Sequence, residues 1–259
     1  MKDVLKKIAV YQTEKNTGEL AELAGKMWNE QYKQWPLLRE NNENLKQIEL
    51  KKIEIDGFHV FAQFNPHRIK SSAAKVDAES LKKRKCFLCP SNLPAEQKGV
   101  LYQERYLILA NPYPIFNRHL TIPSIEHVPQ MIQGNMDIFL DLVKDLAPDF
   151  TVFYNGPKCG ASAPDHFHFQ ACERNIMPIE NDFLKRKNDF TKKMLSGSNT
   201  EVYIINHYSR TGFYVISRAK EEILASMYKV FHHWEKKEDE TEPMLNLIGF
   251  FENNEWHLI

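Results

Sequence analysis

Two things are missing from this 259-residue chain: a long apolar run and an excess of charge of either sign. The longest apolar stretches, residues 106–110 and 247–251, are strand-sized, well below the roughly 18 residues that a membrane span needs. Lysine and arginine total 34 against 34 aspartates and glutamates, which argues against duplex nucleic acid or an anionic membrane as the main partner. Cysteine is scarce, with Cys86, Cys89, Cys159 and Cys172 only, so a disulfide-built secreted scaffold is excluded. A chain of this length buries a sizeable core without such bridges. Lysines also interrupt the apolar residues of the N-terminus before a secretory core can form, and the expected location is cytoplasmic. What is present, 42% hydrophobic and 26% charged residues, is ordinary globular composition.

The periodicity divides the chain. Leu20, Leu23, Ala24, Met27, Trp28, Tyr32 and Trp35 recur at helical spacing until Pro36 interrupts them. From Gln47 the period shortens, and IELKKIEI, Asp56-Gly57 and FHVFAQF read as a hairpin. Residues 65–100 are rich in Lys, Ser, Asn and Pro and form an irregular segment that something must order. Strands are predicted at 106–110, 118–122, 150–154 and 166–171, with a helix within 135–146. A helical stretch over 181–194 then leads to strands VYIIN and GFYVIS, a helix over 219–236, and strands LNLIGFF and EWHLI. This is an α+β layout with a largely antiparallel sheet and flanking helices. Three segments are expected: a helical arm over 1–46, a first half over 47–180 and a second half over 181–259 that loosely repeats the first. The apolar strand pattern runs into Ile259, which predicts further chain beyond it.

The chemistry concentrates in residues 155–170, NGPKCGASAPDHFHFQ. Strand geometry puts His166, His168 and Gln170 on one face and Phe167 and Phe169 on the other. The Gly-Ala-Ser loop before them lets backbone N–H groups approach an anion closely. A water-exposed polar sheet face would give the same alternation, and an isolated His-x-His favours that blander account. The loop and the upstream Cys86-x-x-Cys89 shift the balance toward a site. The run Lys82-Lys83-Arg84-Lys85 reads either as a solvated loop or as an attractor for polyphosphate or RNA.

These residues resemble the His-φ-His-φ-Gln signature of the transferase branch of the histidine-triad superfamily. That branch includes galactose-1-phosphate uridylyltransferases, diadenosine tetraphosphate phosphorylases and GDP-hexose phosphorylases. The GDP-hexose enzymes are the nearest likeness, because HFHFQA is followed by Met177-Pro-Ile-Glu180. Asn65-Pro-His-Arg68 and Arg118-His-Leu-Thr-Ile-Pro also look like family segments. The resemblance implies a histidine-triad-like fold of two related halves, only the first catalytic. It implies a nucleotidyltransferase of the phosphorylase type acting on a nucleoside diphosphate sugar through a nucleotidyl-histidine. His168 would be the nucleophile, since neutral imidazole is nucleophilic near pH 7. Gln170 and Ser162 would assist, and Arg68, Asn155, Lys158 and Gly160 would bind the phosphates. Cys86, Cys89, His127 and His166 would hold a structural zinc, with His119 as the alternative to His127.

The expected partners are a nucleotide or nucleotide-sugar substrate and a phosphate or sugar-phosphate acceptor, with a homodimer allowed and neither membrane nor nucleic acid involved. Two other functions stay open: phosphorolysis or hydrolysis of a dinucleoside polyphosphate, and a zinc-stabilised module that binds nucleotide or RNA without turnover. Pro164-Asp165 before His166 departs from the Asn-Pro of the uridylyltransferases, which weakens a galactose assignment.

Overall fold

The structure is a computed structural model and describes residues 2–12, 19–55, 57–66, 77–208, 210–234, 240 and 242–259. Its helices are α1 (Lys2–Ile8), α2 (Leu20–Gln34), α3 (Pro36–Asn44), α4 (Ala78–Lys83), α5 (Met136–Asp145), α6 (Pro178–Phe190) and α7 (Lys220–His233). Its strands are β1 (Ala9–Gln12), β2 (Glu49–Ile55), β3 (Phe58–Phe64), β4 (Gly99–Tyr102), β5 (Tyr106–Ala110), β6 (Leu120–Pro123) and β7 (Phe150–Asn155). They continue with β8 (His168–Glu173), β9 (Thr191–Ser196), β10 (Thr200–Ile205), β11 (Gly212–Ser217), β12 (Asn246–Glu252) and β13 (Glu255–Leu258).

Eleven strands form one sheet in the order β1-β4-β5-β6-β8-β7-β12-β13-β11-β10-β9. Every neighbouring pair is antiparallel except β1 with β4. The expected α+β class with a largely antiparallel sheet is what the chain adopts. The β2–β3 hairpin is a separate two-stranded sheet whose register pairs Ile55 with Phe58. Gly57 in its turn sits at φ +84°, the left-handed region that glycine enters without steric cost. Asp56 lies outside the described residues.

The apolar face of α5 shows why the core forms where it does. Ile138, Phe139, Leu142 and Val143 recur one turn apart and are all buried. They cover the sheet face that carries Phe167, Phe169 and Ala171, with Phe139 tilted on Phe169 at 5.5 Å. Gly249 on β12 permits this close approach, since a Cβ there would stand 2.6 Å from Val143 Cγ2. A second, smaller core of Phe183, Tyr203, Ile205, Tyr214 and Ile216 involves α6, β10 and β11.

Several expected element boundaries move, two of them near functional segments or with a change of type. Residues 191–194 continue the predicted helix in the sequence but form edge strand β9, because pairing with β10 outweighs a weak apolar period in TKKMLS. The strand predicted over 166–171 begins at His168, so His166 precedes the regular ladder. No helix among the described residues is long and apolar enough to cross a membrane.

Candidate active site and metal centre

β8 lies between β6 and β7, where Gln170 is paired with Thr121 on one side and Phe153 on the other. His168 opens the strand and is buried. Its Nδ1 lies 2.8 Å from the His166 carbonyl, an acceptor, so Nδ1 carries the proton and Nε2 the lone pair. Burial depresses the His168 pKa from 6.5 to about 4, which keeps the ring neutral near pH 7.

Gln170 is oriented by His119, which on sequence alone is the alternative zinc ligand. The Ile115 N–H donates to His119 Nδ1 at 3.3 Å, which assigns the proton to Nε2. That Nε2 then donates to Gln170 Oε1 at 2.9 Å. The Gln170 amide is thereby aimed with its NH₂ away from His119, and that NH₂ makes no hydrogen bond to a described residue. Phe153 stacks against His119 at 5.9 Å and holds the imidazole plane.

Behind this strand four side chains converge. Cys86, Cys89, His127 and His166 present ligand atoms that all lie within 4.8 Å of one another. Cys86 Sγ is 3.2 Å from His166 Nδ1, Cys89 Sγ is 3.2 Å from His127 Nδ1, and the two Nδ1 atoms are 3.2 Å apart. His166 Nε2 donates to the Ser124 carbonyl at 2.8 Å, so its Nδ1 offers a lone pair to the cluster. His127 Nε2 lies 3.7 Å from Asp165 Oδ2, and its Nδ1 faces Cys89 and His166. Two imidazole nitrogens and two cysteine sulfurs thus converge on one point. Tetrahedral zinc with Zn–S near 2.3 Å and Zn–N near 2.0–2.1 Å sets ligand atoms roughly 3.3–3.8 Å apart, close to what is found. The donor set is compatible with zinc.

Of the other expected residues, Asn155 and Ser162 are tied to these centres through Gln130 and Arg84. Asn155 ends β7, and its carbonyl accepts from Gln130 Nε2 at 2.9 Å. Lys158 and Gly160 are exposed in the loop before β8, Gly160 at φ +94°. Lys158 Nζ is 3.5 Å from Glu240 Oε1. Ser162 is exposed in the same loop, and its carbonyl accepts from Arg84 Nη2 at 3.2 Å. Arg68 lies outside the described residues.

Three residues near the site take roles that the sequence does not assign them; Arg84 reads there only as part of the basic run at 82–85. Gln130, with 1% of its surface exposed, binds the backbone of both His168 and Asn155. Arg84 also pairs with Asp165 at 3.1 Å, tying the cysteine segment to the loop before β8. Glu242 accepts from the Ile132 N–H at 2.7 Å and from the Tyr154 hydroxyl beneath that loop. Each acts through contacts between segments distant in sequence, which no periodicity records.

Comparison with solved structures finds similarity to the Ap4A phosphorylase of yeast, with a TM-score of 0.48 and 14% identity over 93% of this chain and 78% of that one. The same yeast enzyme in complex with Ap4A gives 0.46 and 14% over 91% and 80%. A DUF4931 family protein from Bacillus cereus ATCC 10987 gives 0.43 and 14% over 62% and 83%. Comparison with curated protein sequences finds no match. Residues 27–173, which span β8 and all four cluster residues, match the family described as a domain of unknown function, DUF4922. The chain belongs to the DUF4922 family.

Proposed function

We propose that the protein is a nucleotidyltransferase of the phosphorylase type, and that His168 carries the nucleotide between donor and acceptor. The observation that carries this reading is the pairing of two polarised side chains on one strand: His168 with Nδ1 bonded and Nε2 bearing a lone pair, and Gln170 with its NH₂ released by His119. The Nε2 lone pair forms a bond to the α-phosphorus as the bond from phosphorus to the leaving phosphate oxygen breaks, and that oxygen keeps the electron pair. An acceptor phosphate oxygen then attacks the same phosphorus, and the P–N bond breaks to return neutral histidine. Gln170 donates to a phosphoryl oxygen as charge builds there, and as an amide it cannot titrate. Ser162, Asn155, Lys158, Gly160 and Arg68 are assigned to the phosphates by the family resemblance.

Zinc, held by Cys86, Cys89, His127 and His166, would supply structural order to this region. His166, whose carbonyl accepts from His168 Nδ1, would then be held in place by the same ligand set that orders the region.

Two donors compete. The GDP-hexose reading rests on Met177-Pro-Ile-Glu180, yet packing alone accounts for this segment, since Pro178 opens α6 and the buried Glu180 accepts from Thr151 and pairs with Arg174. A cavity of about 840 Å³ on the Gln170 face of the sheet is lined by apolar groups such as Ile48, Phe61, Phe116 and Ile179 and by the polar groups Asn42, His59, Gln63 and Asn117. Both donors bring a nucleobase that buries an aromatic face and hydroxyls that need polar partners, so this lining admits either.

The test is intact-protein mass spectrometry of wild type and His168→Ala after incubation with GDP-, UDP- and ADP-sugars and a dinucleoside tetraphosphate, without acceptor. A nucleoside monophosphate adduct in wild type alone, discharged by phosphate, is the expected result and names the base. Nucleotide binding without any adduct would move the assignment to a non-catalytic binding module.

A further inference from the structure

A second, smaller cavity of about 340 Å³ adjoins the first and runs between β11, α7, β12 and β13. The two share a wall of Ile179, Tyr208, Arg210 and Ile248. Ile248 is paired in register with Phe153, and Phe153 with Gln170. Register-paired side chains project from the same face, so Ile248 of the shared wall stands two strands from Gln170, a distance of about 10 Å.

Arg210 is the feature of this wall that apolar packing does not explain. Among the described residues lining the smaller cavity it alone is charged, and no aspartate or glutamate lines either cavity. The other cation beside the larger cavity, Lys46, is engaged by Glu43 at 2.6 Å. Arg210 lies in the exposed turn between β10 and β11 and makes no hydrogen bond or ion pair with a described residue. A turn arginine is commonly just solvated. Here, however, Arg210 lines both cavities, and the fork of donors on a guanidinium matches a phosphate.

We propose that Arg210 anchors the phosphate borne by the leaving group, and so selects among donors by the length of their phosphate chain. This rests on the nucleotidyl-transfer reading and adds a binding residue from the part of the chain beyond β8. The α-phosphate reacts at His168 while the distal phosphate sits at the wall and its attached group enters the smaller cavity. Donors whose leaving group is a single phosphate do not reach Arg210; longer chains do.

The test uses wild type, Arg210→Ala and Arg210→Lys in two assays. In titration calorimetry with inorganic tripolyphosphate, Arg210→Ala binds roughly tenfold more weakly or worse, and Arg210→Lys recovers part of the loss. In adduct formation, the loss in kcat/KM for Arg210→Ala grows from a nucleoside diphosphate to a dinucleoside tetraphosphate and lies in KM. Tripolyphosphate binding that is absent in wild type or equal in Arg210→Ala overturns the proposal, as does a loss uniform across donors. If wild type forms no adduct with any donor, the transfer reading falls, and the titration alone still decides whether Arg210 binds polyphosphate.

Discussion

The Gln130 side chain grips the backbone of His168 from both sides, accepting from its N–H at 2.8 Å and donating to its carbonyl at 3.0 Å. The same NH₂ reaches the Asn155 carbonyl at 2.9 Å. β7 and β8 pair as far as Phe153 with Gln170. Beyond that point the side chain of Gln130 stands in for the ladder, which lets the strands part while His168 stays fixed.

Replacing Gln130 by alanine should therefore leave buried backbone groups of His168 and Asn155 unpaired. The expected loss is about 3 kcal/mol in urea unfolding, together with slower adduct formation. A variant with unchanged stability and an unchanged rate would mean that the backbone here holds itself.

The His119–Gln170 pair predicts a graded series. Gln170→Glu can still accept from His119 but offers no donor to the phosphoryl oxygen, and its adduct-forming rate should fall by roughly 10²–10³. His119→Ala leaves the amide in place but free to rotate, so its loss should be smaller and should respond to Gln170→Glu less than additively. The double mutant in single-turnover kinetics decides: fully additive losses would refute the coupling.

One zinc per chain is expected by elemental analysis of the purified protein. Cys89→Ser should lower the metal content and the melting temperature together, and a strong chelator should reproduce the shift in wild type. Wild-type protein free of zinc, or a Cys89→Ser variant retaining all of it, would remove the metal from the account.

Acid stability offers a test away from the site. His257 is buried, its Nδ1 lies 2.6 Å from the Tyr214 hydroxyl, and burial together with Arg174 and Lys187 holds its pKa down at about 4. The unfolded chain binds this proton near pH 6.5 and the folded chain only near 4, so stability present above 6.5 is lost as pH falls toward 4. His257 should account for about 3 kcal/mol of that loss. Urea unfolding of wild type and His257→Gln at pH 7 and pH 4.5 measures it, and equal slopes in the two proteins would contradict the assignment.

How much of the site was legible depends on the distance over which each residue acts. His168 and Gln170 announce themselves through strand alternation, and Cys86 and Cys89 through their spacing. On the sequence alone His127 is the expected zinc ligand, with His119 as its alternative. Only folding separates them, since His127 meets the cysteines while His119 meets Gln170. Arg210 and Gln130 lie in turns and loops where nothing in the local pattern marks a function.

The sequence by itself determined the elements whose apolar periods are strong, such as α5 and the hairpin, together with the strand that carries His168 and Gln170. Periodicity encodes which face a side chain takes on its own element, and that is local information. Tertiary structure decided that the 191–196 segment is an edge strand, that His166 closes a four-ligand cluster, and that two cavities meet at Arg210. These depend on contacts between segments tens of residues apart, whose energies arise only when the sheet brings them together.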